Sequence, residues 1–342
     1  MKRFLRFALL IIVIALASGA WIFLGPATAF ESPKKSVYIR STAATREAVL
    51  DSLVAGHIIN NKTAFDFVAN RLGYWKNIRP GKYDISKGSS LLTIARMLRN
   101  GNQSPVNLVI NKVRTKEDFA AMIGRRFECD SQQMINFLNS ADSLKRYDAD
   151  SSTALWRVIP DTYTYRWSAT PREIYSKINT EAGKFWNEDR KTKAMNLGLT
   201  PLQASILASI VEEETTNNEE KDTIASVYLN RYRKGMYLGA DPTLKFALRD
   251  FSIKWIHGPM LDVESPYNTY RRKGLPPGPI CTPSKRTIDE VLEAPQTDYL
   301  FFVANTRLNG HLFSTTFEEH VKKAQSYREE DRKRREQNGE AR

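Results

Sequence analysis

The residues best suited to chemistry stand together at Glu212-Glu213-Glu214, directly after Ala204-Ser205-Ile206-Leu207-Ala208-Ser209-Ile210-Val211. A run that is apolar or small on nearly every side marks a helix buried in the body of a protein. Its start is written in Thr200-Pro201-Leu202-Gln203, where Thr200 suits the N-cap, Pro201 the first helical position, and Gln203 completes a capping box. Three acids at the far end face the negative pole of the helix dipole at roughly a few tenths of a kcal/mol each, so stability does not ask for them. A carboxyl held against apolar walls has its pKa raised, as a general acid needs near neutral pH. Glu212 shares a face with Ser205, Ala208 and Ser209, where another segment or a ligand can come close, whereas Glu214 follows Leu207, Ile210 and Val211 on the bulkier face. Glu212 is the candidate acid. The same acids also read as a solvated helix end continuing into Asn217-Asn218-Glu219-Glu220, and the residues alone leave both readings open.

The rest of the chain must hold that helix, and its first segment is an address. Phe7 to Leu24, FALLIIVIALASGAWIFL, is an uncharged apolar run long enough to cross a hydrocarbon core. Lys2, Arg3 and Arg6 precede it, so the positive-inside bias puts residues 1–6 in the cytoplasm, 7–24 in the inner membrane as a single span, and everything after Gly25 outside. Ala27-Thr28-Ala29 fits a signal-peptidase site. The run is longer than a usual signal core and Trp21 interrupts the approach, so a retained anchor is favoured; the body is exported in either case.

With 342 residues, 42% apolar and 26% charged, the chain suffices for an anchor and two folded units with real cores. The net charge of +13 favours acidic partners such as anionic lipid or a wall polymer. Nucleic acid is not expected, because no zinc finger, arginine-rich groove or RNA-binding aromatic signature accompanies the charge. Cys129 and Cys281 belong to no Cys/His ligand pattern, so no metal is expected, and two separately buried thiols are favoured over a disulfide.

Periodicity predicts a strand at 37–39, helices over 45–55 and 62–72, a strand at 82–85 entered by the Arg79-Pro80-Gly81 turn, and a helix over 91–98 behind Ser89-Ser90. Gly-Lys-Tyr-Asp-Ile followed by Leu-Leu-x-Ile-Ala-x-x-Leu resembles the LysM module, a β-α-α-β unit that lies on N-acetylglucosamine-containing chains. A small packing domain with no ligand accounts for the same apolar residues equally well. Residues 37–103 are thus read as a LysM-like subdomain. A strand at 107–113 opens a larger unit ending near 327, with helices over 116–127 and 131–140 and a polar surface excursion at 140–152. Residues 328–342 read as a charged, disordered tail. The expected fold class is α+β: an N-terminal transmembrane helix, the LysM-like subdomain, and a mixed α+β domain with a buried helix ending at the catalytic glutamate.

Seven motifs carry a family resemblance: Pro160-Asp161-Thr162-Tyr163, Ala208 to Thr215, Ser226-Val227-Tyr228-Leu229-Asn230-Arg231, Ala240-Asp241-Pro242-Thr243, Tyr267-Asn268-Thr269-Tyr270, Gly274 to Ile280 and Tyr299 to Ala304. Together they resemble the endolytic murein transglycosylases, the MltG or YceG-like proteins, over almost the whole chain. The resemblance implies that residues 107–327 form the catalytic domain and that the essential acid is the first glutamate of Ser-Ile-Val-Glu-x-Glu-Thr, which is Glu212. Glu213 stands where the family usually has lysine, and an added carboxylate would raise the acid's pKa further. Pro279 and Cys281 stand where alanine is commoner.

The implied reaction is a lytic cut of the bond between N-acetylmuramic acid and N-acetylglucosamine in nascent peptidoglycan. One carboxyl acts first as acid and then as base, leaving 1,6-anhydromuramyl ends and needing no cofactor or metal. It implies further a terminase of strand elongation, with peptidoglycan synthases (penicillin-binding proteins) as partners. Glu214, Asp241, Tyr267, Asn268, Thr269 and Tyr270 are the candidate substrate contacts, since polar loops with interleaved aromatics suit pyranose faces and hydroxyls. His311 and His320 read as ordinary structural or surface residues. Two rivals remain: a lysozyme-type hydrolase in which Asp241 positions water, and a non-catalytic wall-binding scaffold.

Overall fold

The computed structural model describes residues 2–305 and 310–337 and divides into two compact units. One comprises residues 1–108, 123–130 and 164–170, the other 109–122, 131–163 and 171–342.

The first unit begins with α1 (Lys2–Leu24), whose apolar residues lie exposed along its length and which is long and apolar enough to cross a membrane. There follow β1 (Lys34–Ile39), α2 (Arg46–Ala55), α3 (Lys62–Arg71), β2 (Gly81–Ser86) and α4 (Leu91–Asn100). β1 and β2 pair antiparallel, with Lys34 opposite Ser86 and Ile39 opposite Gly81. Strand alternation turns Val37, Ile39, Tyr83 and Ile85 into a core shared with Phe65, Ile94 and Leu98. α2, α3 and α4 each start on a side-chain cap: Thr45, Asn61 and Ser90 accept from the amides of Ala48, Ala64 and Thr93. The segment after α1 belongs to this unit as well. Ala27 and Phe30 are buried in its core, the Ala27 amide donates to Ser89 (3.1 Å), and the Ala27 carbonyl accepts from Asn60 (3.2 Å).

β3 (Val106–Ile110) pairs with β4 (Asp161–Tyr165). Between them lie α5 (Lys116–Gly124), α6 (Ser131–Asn139) and the short α7 (Ala141–Leu144). The stretch 140–152, expected on the surface, is partly core: Leu144 and Tyr147 are buried, and the Tyr147 ring packs at 4.9 Å on Tyr175. Two apolar residues inside a polar stretch are enough to draw it inward.

The second unit continues with α8 (Pro171–Phe185), α9 (Glu188–Asn196), α10 (Pro201–Glu214), α11 (Lys221–Arg233), α12 (Asp241–Leu248) and α13 (Lys285–Leu292). A hairpin of β5 (Phe301–Asn305) and β6 (Gly310–Ser314) then leads into α14 (Phe317–Gln337). α10 is the axis of the core. Every residue from Ala204 to Val211 is buried, and α9, α11, α12 and α13 pack around it. The capping box is present: Thr200 Oγ1 accepts from the Gln203 amide at 3.2 Å and Gln203 Oε1 accepts from the Thr200 amide at 2.8 Å. The charged tail expected to be disordered from 328 runs helical to Gln337, with Asp331 buried and Arg332 paired to Glu336 one turn on, while residues 338–342 lie outside the described residues. Cys129 and Cys281 are both free and buried.

Candidate active site

Consecutive helical residues point about 100° apart, and the three glutamates at the end of α10 consequently meet three environments. Glu213 turns to two cations, Lys112 at 3.0 Å and Arg114 at 2.8 Å.

Glu212 faces the small-residue side, where a second segment does come close: Ser209 Oγ accepts from the Ile280 amide at 3.0 Å, and the chain runs on into α13. That segment brings the hydroxyls of Ser284 and Thr287, and the start of α11 brings a cation. Glu212 Oε2 accepts from Thr287 Oγ1 and from Ser284 Oγ (3.1 Å), and lies 3.2 Å from Lys221 Nζ, itself only 5% exposed. Burial pushes the Glu212 carboxyl up, but the Thr287 hydrogen bond, the Lys221 charge and the Ser284 hydroxyl together outweigh it, and the group ends below its ordinary value. The raised pKa expected of Glu212 is therefore corrected. The small face admitted a counter-ion instead of an apolar wall.

Glu214 carries the property expected of Glu212. Burial pushes its carboxyl up to about 7; the hydrogen bond from Tyr228 pulls it down, and the Asp241 charge adds to the rise. The Tyr228 hydroxyl donates to Glu214 Oε1 from α11, and Glu214 borders a cavity of about 830 Å³ and a smaller opening of about 390 Å³. Across that cavity Tyr270 donates to Asp241, which stands in the first turn of α12. Arg231, one turn beyond Tyr228 on α11, lines the cavity while its guanidinium is fixed on the carbonyls of Leu300 (2.6 Å) and Leu238 (2.5 Å).

Of the residues predicted from sequence, Glu214, Asp241 and Tyr270 are thus brought together at one cavity. Tyr267, Asn268 and Thr269 are not. Asn268 is fully buried: its amide donates to Leu261 (2.9 Å) and Val263 (2.8 Å), and its oxygen accepts from the Tyr270 amide (3.0 Å). Thr269 Oγ1 accepts from the Ala240 amide at 2.9 Å and meets Thr243 Oγ1 at 2.8 Å, which ties the loop to the start of α12. Tyr267 packs its ring 4.7 Å from Phe246, away from the cavity. These three hold Tyr270 and Asp241 in position; sequence shows a polar loop but not which way each side chain turns.

Sequence reasoning missed Tyr228 and Arg231 as site residues, although their i, i+3 spacing on one helix was a usable signal. It also set aside both histidines. His320 lines the same cavity, stacked 5.3 Å from Phe301, and His311 lines a second opening beside Glu214. Among the described residues, no His, Cys, Asp and Glu cluster is arranged to hold a metal ion.

A buried helix that delivers a carboxyl with a near-neutral pKa to an open, aromatic and charged cavity defines a candidate acid–base site for a large polar ligand. The chain belongs to the YceG-like family, which it matches over residues 37–326. It is 27% identical over 296 residues to the endolytic murein transglycosylase of Bacillus subtilis (strain 168), covering 82% of this chain and 81% of that protein. The protein of the same name from Streptococcus pneumoniae serotype 2 (strain D39) is 24% identical over 295 residues, 77% of this chain and 53% of its own length. The fold is similar to the crystal structure of a yceG-like protein from Listeria monocytogenes, with a TM-score of 0.55 and 26% identity over 85% of this chain and 99% of that one.

Proposed function

We propose that this chain is an endolytic peptidoglycan transglycosylase and that Glu214, rather than Glu212, is its acid. The observation that carries the assignment is the pair of neighbouring carboxyls: one raised to about 7 at a cavity, the other held below its ordinary value by the Thr287 hydrogen bond and the Lys221 charge. Protonated Glu214 gives its proton to the oxygen between N-acetylmuramic acid and N-acetylglucosamine as the C1–O bond breaks. The muramyl C6 hydroxyl then closes on C1 and returns its proton to Glu214, leaving a 1,6-anhydro end. Tyr228 holds the carboxylate between the two steps. Mass spectrometry of the cut ends tests the reaction. Anhydromuramic acid is expected, lost in Glu214→Gln, whereas reducing muramic acid would mean that Asp241 positions water for hydrolysis.

Three further readings attach to the first unit. The exposed apolar α1 supports a single-pass inner-membrane anchor with the body outside, ending strands beside peptidoglycan synthases. Burial and hydrogen bonding of Ala27 within the fold support retention over cleavage at Ala27-Thr28-Ala29. N-terminal sequencing of the mature protein decides this, a new start at Phe30 being the adverse result. The β1–α2–α3–β2 order with an antiparallel pair supports a LysM-like role in holding glycan. Deleting residues 37–103 is then expected to weaken attachment to sacculi more than cleavage of short soluble strands.

A further inference from the structure

Glu214 borders two openings. One is the cavity of about 830 Å³ already described; the other, of about 390 Å³, is walled by Thr215, Asn217, Glu220, Asn305 and His311. Because Glu214 belongs to both, a strand drawn across the acid leaves one sugar on each side.

Among the described residues the two sides differ in charge. Arg231, Lys234 and Lys273 all line the larger cavity, and none of them is in an ion pair among the described residues. Among the described residues Asp241 is the one carboxylate there besides Glu214, and it is engaged by Tyr270. No lysine or arginine among the described residues lines the smaller opening. Its acid, Glu220, accepts from Thr215 Oγ1 (2.8 Å) and the His311 amide (2.9 Å) and meets His311 Nδ1 at 2.8 Å. That fixes the His311 ring and leaves Nε2 as its remaining ring nitrogen, in an opening also lined by Thr215, Thr216, Asn217 and Asn305. An anionic substituent is drawn to the first side and repelled by Glu220 on the second, whereas a neutral acetamido sugar finds its hydrogen-bond partners on the second.

We infer that the strand lies in one direction only. The muramyl sugar, whose lactyl ether bears a carboxylate or a peptide stem, occupies the side of Arg231, Lys234 and Lys273, and N-acetylglucosamine occupies the side of His311. This rests on the reading of Glu214 as the acid. Since the broken bond joins muramyl C1 to the next sugar's O4, the non-reducing part of the strand lies over the lysines and the reducing part over His311.

The test uses the full-length protein and peptide-free glycan strands, either with lactyl carboxylates intact or with them capped as methylamides. Lys234→Gln/Lys273→Gln is expected to raise KM about tenfold on intact strands and under twofold on capped ones, with kcat nearly constant. Both lysines are exposed, so the fold tolerates the change. His311→Gln is expected to raise KM equally on the two strands. Equal effects of the lysine variant on both strands, or a charge-dependent effect of His311→Gln, would overturn the orientation. Binding of the same two strands to Glu214→Gln gives a second readout independent of turnover: preference for intact strands is expected there too, and its absence counts against the orientation. Full cleavage by Glu214→Gln would sink the acid assignment instead.

Discussion

Two carboxyls two residues apart, on one helix end, meet opposite fates. Glu212 sits in a nest of Thr287, Ser284 and Lys221 that stabilises its charge; Glu214 sits against Tyr228 with Asp241 nearby, and its charge is disfavoured. The difference teaches that a face of small residues shows where a neighbour can approach but not what that neighbour brings. On α10 the small face admitted a lysine and two hydroxyls, and the bulky face kept the carboxyl protonatable.

The sharpest way to break this comparison is to exchange each glutamate for its amide. Glu214→Gln is expected to cut strand cleavage by about 10²–10⁴-fold with the protein still folded, measured on purified strands beside a melting curve. Glu212→Gln is expected to act on stability first. It leaves the buried Lys221 without its counter-ion, at a loss of about 3–5 kcal/mol by denaturant titration, and adding Lys221→Met is expected to recover much of that loss. Loss of cleavage in Glu212→Gln at an unchanged melting temperature would return the acid to Glu212.

pH sharpens the contrast, because the two shifts have opposite signs. Glu214 holds its proton up to about 7 in the folded state but only to its ordinary value of 4.5 when unfolded. Its favourable contribution is thus complete below the unfolded value and lost as pH rises through about 7, a change of up to roughly 3 kcal/mol. Wild type is expected to melt close to Glu214→Gln at pH 5 and below it at pH 8, while kcat/KM falls on the alkaline side of about 7. Glu212, lowered by its partners, stabilises at neutral pH and loses that contribution in acid. A melting difference between wild type and Glu214→Gln that does not vary with pH would contradict the raised pKa.

Smaller effects separate the loop from the cavity. Asn268→Ala, which strips three buried hydrogen bonds, is expected to cost about 1–3 kcal/mol with kcat little changed. Tyr270→Phe, which removes only the bond to Asp241, is expected to cost about 1 kcal/mol or less and to lower kcat/KM several-fold. The reverse pattern would move the functional role from Tyr270 to Asn268.

What sequence made legible was local. The capping box at Thr200, the all-round burial of α10, the serine cap before α4 and the apolar α1 are each set by residues within a few positions of one another, and each is observed. The pKa order of Glu212 and Glu214 was not legible, because it depends on Lys221, Tyr228, Asp241, Ser284 and Thr287, which reach the helix end from three other elements. The inward turn of Asn268 was hidden for the same reason: its partners are carbonyls that the loop presents only once folded.

The way α1 joins the first unit has a mechanical consequence. Residues 25–33, stretched out, would supply about 30 Å of slack. Instead Ala27 and Phe30 are packed into the core, and the ring of Phe23 lies 5.7 Å from that of Phe67 on α3. With α1 in a bilayer, this junction acts as a stiff post rather than a leash. In that setting it would fix the height of the first unit above the lipid and confine its reach to a thin layer. Inserting a flexible Gly/Ser stretch after Leu24 would lengthen that reach without touching a single residue of the cavity.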